Sequence, residues 1–320
     1  MTALISTQDL SVSYRGHGAE VRALRGVTFR AEAGEVVGIV GESGCGKSTL
    51  ASAIMTLLPP NAKVTGRLDY RGENVLALSN EQRRALRGRK IAMIFQDPMT
   101  AFHPAMTIGR QLVEFQMQMP GSRAEKEERA EAMLAKVGIA DPALNMRRYV
   151  HELSGGMRQR AAIAAALLMT PDVLLADEPT TALDVTMEAQ IIHLLRELRR
   201  EHQGTIIIIT HHLGVIGELC DRVYVMYAGE VVEEGAVDAV YHDARHPYTR
   251  ALIACDPATA EQGKGPLPTI PGRLPDPSEP IAGCGFASRC SLASERCRVT
   301  PPPAVTVATG HVVRCYEVTP

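Results

Sequence analysis

The sequence predicts an α/β fold: a phosphate-loop nucleotide-binding core with an antiparallel β subdomain, a helical insert and a small cysteine-rich C-terminal domain. Three observations predict it. The apolar strand Glu35 to Val40 runs straight into the glycine-rich stretch Gly41 to Thr49 and then into a helix. Two more apolar strands, Val173 to Ala176 and Thr205 to Thr210, are separated by a helical stretch over 186–200. Strand–helix alternation of this kind builds a parallel sheet with helices on its faces. Finally, four of the seven cysteines crowd into the last 37 residues.

Taken in order, residues 3–14 and 21–33 alternate apolar and polar positions in part, at Val27, Phe29 and Ala31, and read as strands of an antiparallel edge sheet. Lys47 to Leu58 reads as a helix ended by Pro59 and Pro60. Residues 97–152 read as a helical insert, in which Ser122 and Glu125 form a capping box. There Met133, Leu134 and Val137 give an inner face and Gly138 stops the helix. Six prolines between Pro266 and Pro280 read as an extended linker, with the cysteine cluster beyond it. The expected domains are 1–245 and 246–320.

Composition narrows the function classes. Hydrophobic residues make up 45% and charged residues 22%, an ordinary globular balance. A net charge of −2 gives no basic surface for nucleic acid. The longest apolar stretch, Ala161 to Met169, is far short of the ~18 residues of a membrane span. The N-terminus has no basic residue before its short apolar patch and does not read as a secretory signal, so a cytosolic location is the default.

The chemistry starts at Gly41-Glu42-Ser43-Gly44-Cys45-Gly46-Lys47-Ser48-Thr49, which matches G-x4-G-K-[ST]. Glycines let backbone N–H groups close around a β-phosphate. Lys47 reaches the β- and γ-phosphates, Ser48 offers a hydroxyl to Mg²⁺, and the helix N-terminus adds its positive end. Val173 to Glu178 is an apolar strand ending in two carboxylates. Asp177 suits Mg²⁺, and Glu178 suits the general base for an attacking water. Read without the loop, the same pair would be two solvated acids at a strand end.

Leu153-Ser154-Gly155-Gly156-Met157-Arg158-Gln159 resembles the ABC signature, and in its position between the loop and the carboxylate strand it identifies the chain as similar to ABC ATPases. The resemblance implies further roles. Tyr14 falls where the family stacks an aromatic on adenine, Gln96 in FQDP matches the Q-loop, Thr181 to Asp184 matches the D-loop, and His211 matches the switch histidine. Each has a plainer reading: Tyr14 is an ordinary strand tyrosine, and His212 rivals His211. The nucleotide set is then Tyr14, Gly41, Ser43, Gly44, Cys45, Gly46, Lys47, Ser48, Thr49, Gln96 and Asp177, with Ser48, Gln96 and Asp177 toward Mg²⁺. Ser154, Gly155 and Gly156 would act in trans on ATP held by a partner subunit. Met157, Thr181 and His212 depart from the common pattern, and none removes a catalytic group.

DEPTTALDVT, YAGEVVEEG, HPYTRAL, IPGRLPDP and GCGFASRC resemble the ATPase subunits of oligopeptide, dipeptide and nickel importers, and SGGMRQR and VMYAG their D-type subunit. This implies two membrane permease subunits, a second related ATPase, an extracytoplasmic solute-binding protein, no nucleic acid, and a peripheral place on the cytoplasmic face of the membrane. The rivals are an ABC ATPase of DNA repair or translation, a non-catalytic interaction protein and a small-molecule kinase. They fit less well: the insert is short, Lys47, Asp177, Glu178 and His211 are all present, and a kinase has no signature.

Cys284, Cys290, Cys297 and Cys315 are spaced C-x5-C-x6-C-x17-C. Four thiolates are the usual set for a [4Fe–4S] cluster. Zinc more often takes short C-x2-4-C pairs but stays open as the alternative, as do free or disulfide-linked thiols. Arg289, Arg296 and Arg314, each just before a cysteine, are expected to offset an anionic cluster. A structural role is expected, with ATP binding at Lys47 largely intact when any of the four cysteines is changed. Cys45, beside Lys47 and a helix N-terminus, reads either as a reactive thiolate or as a small residue that fits.

Overall fold

The computed structural model describes residues 3–15, 20–181, 183–201, 204–256 and 268–318. They form two compact units, one of residues 1–77 with 209–320 and the other of residues 78–208.

In the first unit, Ile5–Arg15 pairs antiparallel with Glu20–Ala31 on one side and Ala62–Tyr70 on the other. This is the expected edge sheet, with a strand added from a stretch whose sequence did not announce it. The ladder is interrupted at Asp9, whose φ of 48° shifts the register between Gln8 and Ser11. A second sheet is centred on Val36–Val40, buried at every position, as a strand covered on both faces must be. It runs parallel to Arg222–Tyr227, which pairs antiparallel with Glu230–Ala236.

The helix after the phosphate loop is Lys47–Ile54, shorter than the expected 47–58. Thr56 adopts φ 54°, its N–H bonds Ala53 O at 2.9 Å, and Leu57 N–H bonds Ser52 O at 2.8 Å. That pair of bonds is a Schellman stop made with threonine, so the helix ends before either proline is reached.

The C-terminal segment does not stand apart as a separate compact unit. His311–Arg314 pairs with Glu230–Ala236 through Glu233↔Val313, and Ala304–Ala308 pairs with His311–Arg314. Phe286 packs between Tyr227 and Tyr248, with ring centroids 5.2 and 5.4 Å away. The segment borrows the core of the strand Arg222–Tyr227, which is why it needs little of its own. The expected boundary at 245/246 therefore crosses one hydrophobic core. Of the expected linker, Pro266 and Leu267 lie outside the described residues. Its remainder is irregular but tethered: Pro277 O accepts from Arg22 N–H at 2.8 Å.

In the second unit, Ile91–Ile94 runs parallel to the fully buried Val173–Asp177. The insert is helical, with Ile108–Phe115, Arg123–Lys136 and Pro142–Asn145 as its α-helices. The Ser122–Glu125 capping box forms, Leu134 and Val137 are buried, and Gly138 at φ 78° ends the helix. The signature helix is Gly155–Leu167, and Val185–Glu201 covers the helix expected over 186–200. Among the described residues no helix is long and apolar enough to cross a membrane.

Candidate nucleotide-binding and hydrolysis site

The phosphate loop belongs to the first unit. Gly46 caps the helix at φ 108°, and a Cβ there would lie 2.6 Å from Ala23 O, so glycine is required by both conformation and space. Lys47 is buried, and its ammonium donates to Gly41 O at 2.7 Å and Glu42 O at 3.1 Å. Two carbonyls offset the desolvation of that charge. Ser48 is exposed beside it. Tyr14 lies next to this helix, its hydroxyl donating to Thr49 Oγ1 at 3.4 Å. His211 also belongs to this unit; it is exposed and packs on His212, ring centroids 4.1 Å apart.

The geometry settles the two readings of Cys45. The residue is 0% exposed, and burial raises its thiol against the pull of Lys47. It is a neutral packing residue, and the expectation of a reactive thiolate fails because the side chain faces the interior.

The second unit brings Gln96, Asp177, Glu178 and the signature together. Asp177 closes its strand and is buried. Glu178 follows at φ 47°, a left-handed conformation that a residue with a side chain holds at a cost. Its carboxylate accepts from Gln96 Nε2 at 2.8 Å and from Thr181 Oγ1 at 2.9 Å. Ser154 caps the signature helix through Met157 N–H. The N–H groups of Gly155 and Gly156 stand in its first turn, where an anion is favoured. A Cβ on Gly156 would meet Met187 Cε at 1.6 Å. Gln159, which sequence reasoning did not single out, donates to Pro179 O at 2.8 Å and is buried. It ties the signature helix to the turn that carries Glu178. Ala182 of the D-loop lies outside the described residues.

In the C-terminal segment, Cys284, Cys290, Cys297 and Cys315 all line one cavity with His246 and Phe286. Among the described residues no group of three or more His, Cys, Asp or Glu side chains is drawn into a metal-holding arrangement. Burial pushes Cys284 up to about 11 and raises Cys290 and Cys315. Burial likewise pushes the His246 imidazole down to about 4. None of the three arginines is itself among the cavity's lining residues. Arg296 lies over the ring of Tyr316 at 4.0 Å, and Arg289 lies 5.9 Å from the ring of Phe286, both of them lining residues. Arg289 is committed to the phosphate loop: Nη1 and Nη2 donate to the Glu42 carboxylate at 2.7 and 3.0 Å.

The chain matches the family model "ABC transporter" over residues 24–181 and "Oligopeptide/dipeptide transporter, C-terminal region" over residues 232–297. It is 47% identical to the probable peptide ABC transporter ATP-binding protein y4tR of Sinorhizobium fredii, across 98% of this chain and 95% of that one. It is 44% identical to the oligopeptide transport ATP-binding protein OppD of Bacillus subtilis, across 100% and 90%. With the dipeptide transport ATP-binding protein DppD of Escherichia coli the figures are 42%, across 98% and 96%. Among solved structures, the dimeric bacterial ABC transporter cassette MJ0796 superposes with a TM-score of 0.65 at 29% identity, covering 73% of this chain and 98% of that one.

Proposed function

The chain belongs to the ABC transporter ATP-binding family, and from that premise we propose that it is the ATPase subunit of a peptide importer. As a family member it is an ATPase coupled to transport. The observation that carries the hydrolytic reading is the setting of Glu178, directly after Asp177 and oriented by Gln96 and Thr181. These two donors fix the direction of that carboxylate, as a general base has to be aimed at its water. In this reading Tyr14 stacks on adenine, and Gly41, Ser43, Gly44, Cys45, Gly46, Lys47, Ser48 and Thr49 surround the phosphates. Ser48, Gln96 and Asp177 serve Mg²⁺, and His211 serves the γ-phosphate. Ser154, Gly155 and Gly156 act on the nucleotide of a second, related ATPase subunit.

The peptide reading is supported by full-length likeness to peptide transport subunits and by the match over 232–297. It implies two permease subunits and an extracytoplasmic solute-binding protein, with this chain peripheral on the cytoplasmic face. The test is ATP-dependent uptake of labelled di- and oligopeptides into proteoliposomes holding the reconstituted complex. Uptake of nickel ions but no peptide would overturn it.

The cysteine cavity reads as the seat of a [4Fe–4S] cluster. What supports it is the donor type: four cysteines line one cavity, and Cys45, Cys220 and Cys255 are not among its lining residues. Bound there, a cluster would supply cross-linking of the segment, that is, folding energy. Iron and acid-labile sulfide analysis after anaerobic purification tests it. One equivalent of zinc without iron would keep the ligands and overturn the cluster.

A further inference from the structure

Glu42 is held at three points, each by a different part of the first unit. Its N–H donates to the Tyr248 hydroxyl at 2.9 Å. Its carbonyl accepts from the Lys47 ammonium at 3.1 Å. Its carboxylate takes both arms of the Arg289 guanidinium. Tyr248 is fully buried, and the Arg289 side chain is 3% exposed.

Arg289 has five N–H donors, and each has an acceptor. Nε donates to Pro271 O, Nη1 to Glu42 and the Tyr227 hydroxyl, and Nη2 to Glu42 and Ile270 O. A buried guanidinium satisfied at every donor, with a two-point carboxylate contact, fixes its partner in position as well as in charge. Removing it would leave a carboxylate unpaired in a loop whose ligand is a polyphosphate. Arg289 directly precedes Cys290, so the cysteine-lined segment and the phosphate loop share one ion pair across 247 residues of chain.

We propose that Arg289 is a positioning residue for nucleotide binding, by which the C-terminal cysteine segment braces the phosphate loop and neutralises Glu42. The brace rests on these contacts alone and holds whatever occupies the cysteine cavity. It means that the segment is not an independent appendage, and that loosening it reaches the phosphates through Glu42.

MgATP binding to the purified full chain tests the brace, with iron analysis kept as a separate readout for the cavity. Arg289→Ala is expected to weaken MgATP about tenfold, within the range of ordinary site-to-site coupling. Glu42→Gln, which keeps the guanidinium near the phosphates, weakens it less. The discriminating result is rescue: Arg289→Ala with Glu42→Gln binds MgATP more tightly than Arg289→Ala alone, because the unpaired carboxylate is gone. Loss of packing alone gives no such rescue. Arg296→Ala, on the same segment but over Tyr316, leaves affinity unchanged. Should Arg289→Ala fail to fold, Arg289→Lys keeps the charge without the fork and is expected to cost about threefold. The proposal is overturned if folded Arg289→Ala binds within twofold of wild type, if Glu42→Gln gives no recovery, or if Arg296→Ala weakens binding equally.

Discussion

Two glutamates of this chain are held in opposite ways. Glu178, in the second unit, is oriented by an amide and a hydroxyl. Glu42, in the first, is gripped by a fully satisfied guanidinium. On the proposed reading the first carboxylate takes a proton from water and has to be aimed, which the amide and the hydroxyl do. A carboxylate that only positions a loop beside phosphates must be neutralised, so it is paired with a cation. On that reading one carboxylate is aimed for reaction and the other is clamped for bracing.

The strongest way to break this contrast is Glu178→Gln. Phosphate release by the assembled complex is expected to fall about 10²–10⁴-fold, with MgATP affinity within threefold of wild type. Turnover within twofold of wild type would remove Glu178 from the base role. Next comes Gln96→Lys, which places a further cation in reach of Glu178. It should lower hydrolysis about tenfold below Gln96→Ala, as a cation beside a base depresses its proton affinity. Equal rates for the two variants would show that the partner's charge does not matter.

On the bracing side, Cys297→Ser removes a buried thiol from the cavity. Any metal held by the segment should be lost, and because Arg289 keeps its contacts to Glu42, MgATP affinity should stay within about threefold of wild type. This follows the expectation from sequence that ATP binding at Lys47 is largely intact without the cysteines, and calorimetric titration of MgATP measures it. The smallest expected effect compares two left-handed residues. Glu178 at φ 47° stands just after Asp177, whereas Thr56 at φ 54° closes a helix. Thr56→Gly relieves the left-handed cost of a side chain less the entropy of glycine, about 0.5 kcal/mol, and thermal unfolding weighs that gain against the contacts of the threonine. A lower melting temperature would show that the threonine side chain matters there.

The nucleotide motifs were legible because each is local. Gly41 to Thr49 and Val173 to Glu178 carry their chemistry in consecutive residues, with the flanking strand and helix adjacent. What was not legible depends on long-range packing. Nothing near Arg289 marks Glu42 as its partner, and its place before Cys290 suggested a cluster charge instead. The sequence around Cys45 shows Lys47 but not the burial that outweighs it. The end of the helix at Ile54 was missed because threonine, not glycine, takes the left-handed position. Tyr248 lay inside the HPYTRAL motif, but its hydroxyl bond to the phosphate loop is visible only once the chain is folded.

The strand His311–Arg314 has one more consequence. By pairing with Glu230–Ala236 it covers a backbone edge that would otherwise offer open N–H and C=O groups to any passing strand. The new outermost strand, Ala304–Ala308, is short and exposed at alternate positions, which makes it a poor template. A chain cut after residue 245 would lose that shield along with Phe286. Such a truncated cassette is expected to self-associate through its bared sheet edge, as light scattering would reveal. The C-terminal hairpin therefore also guards the solubility of the sheet it joins.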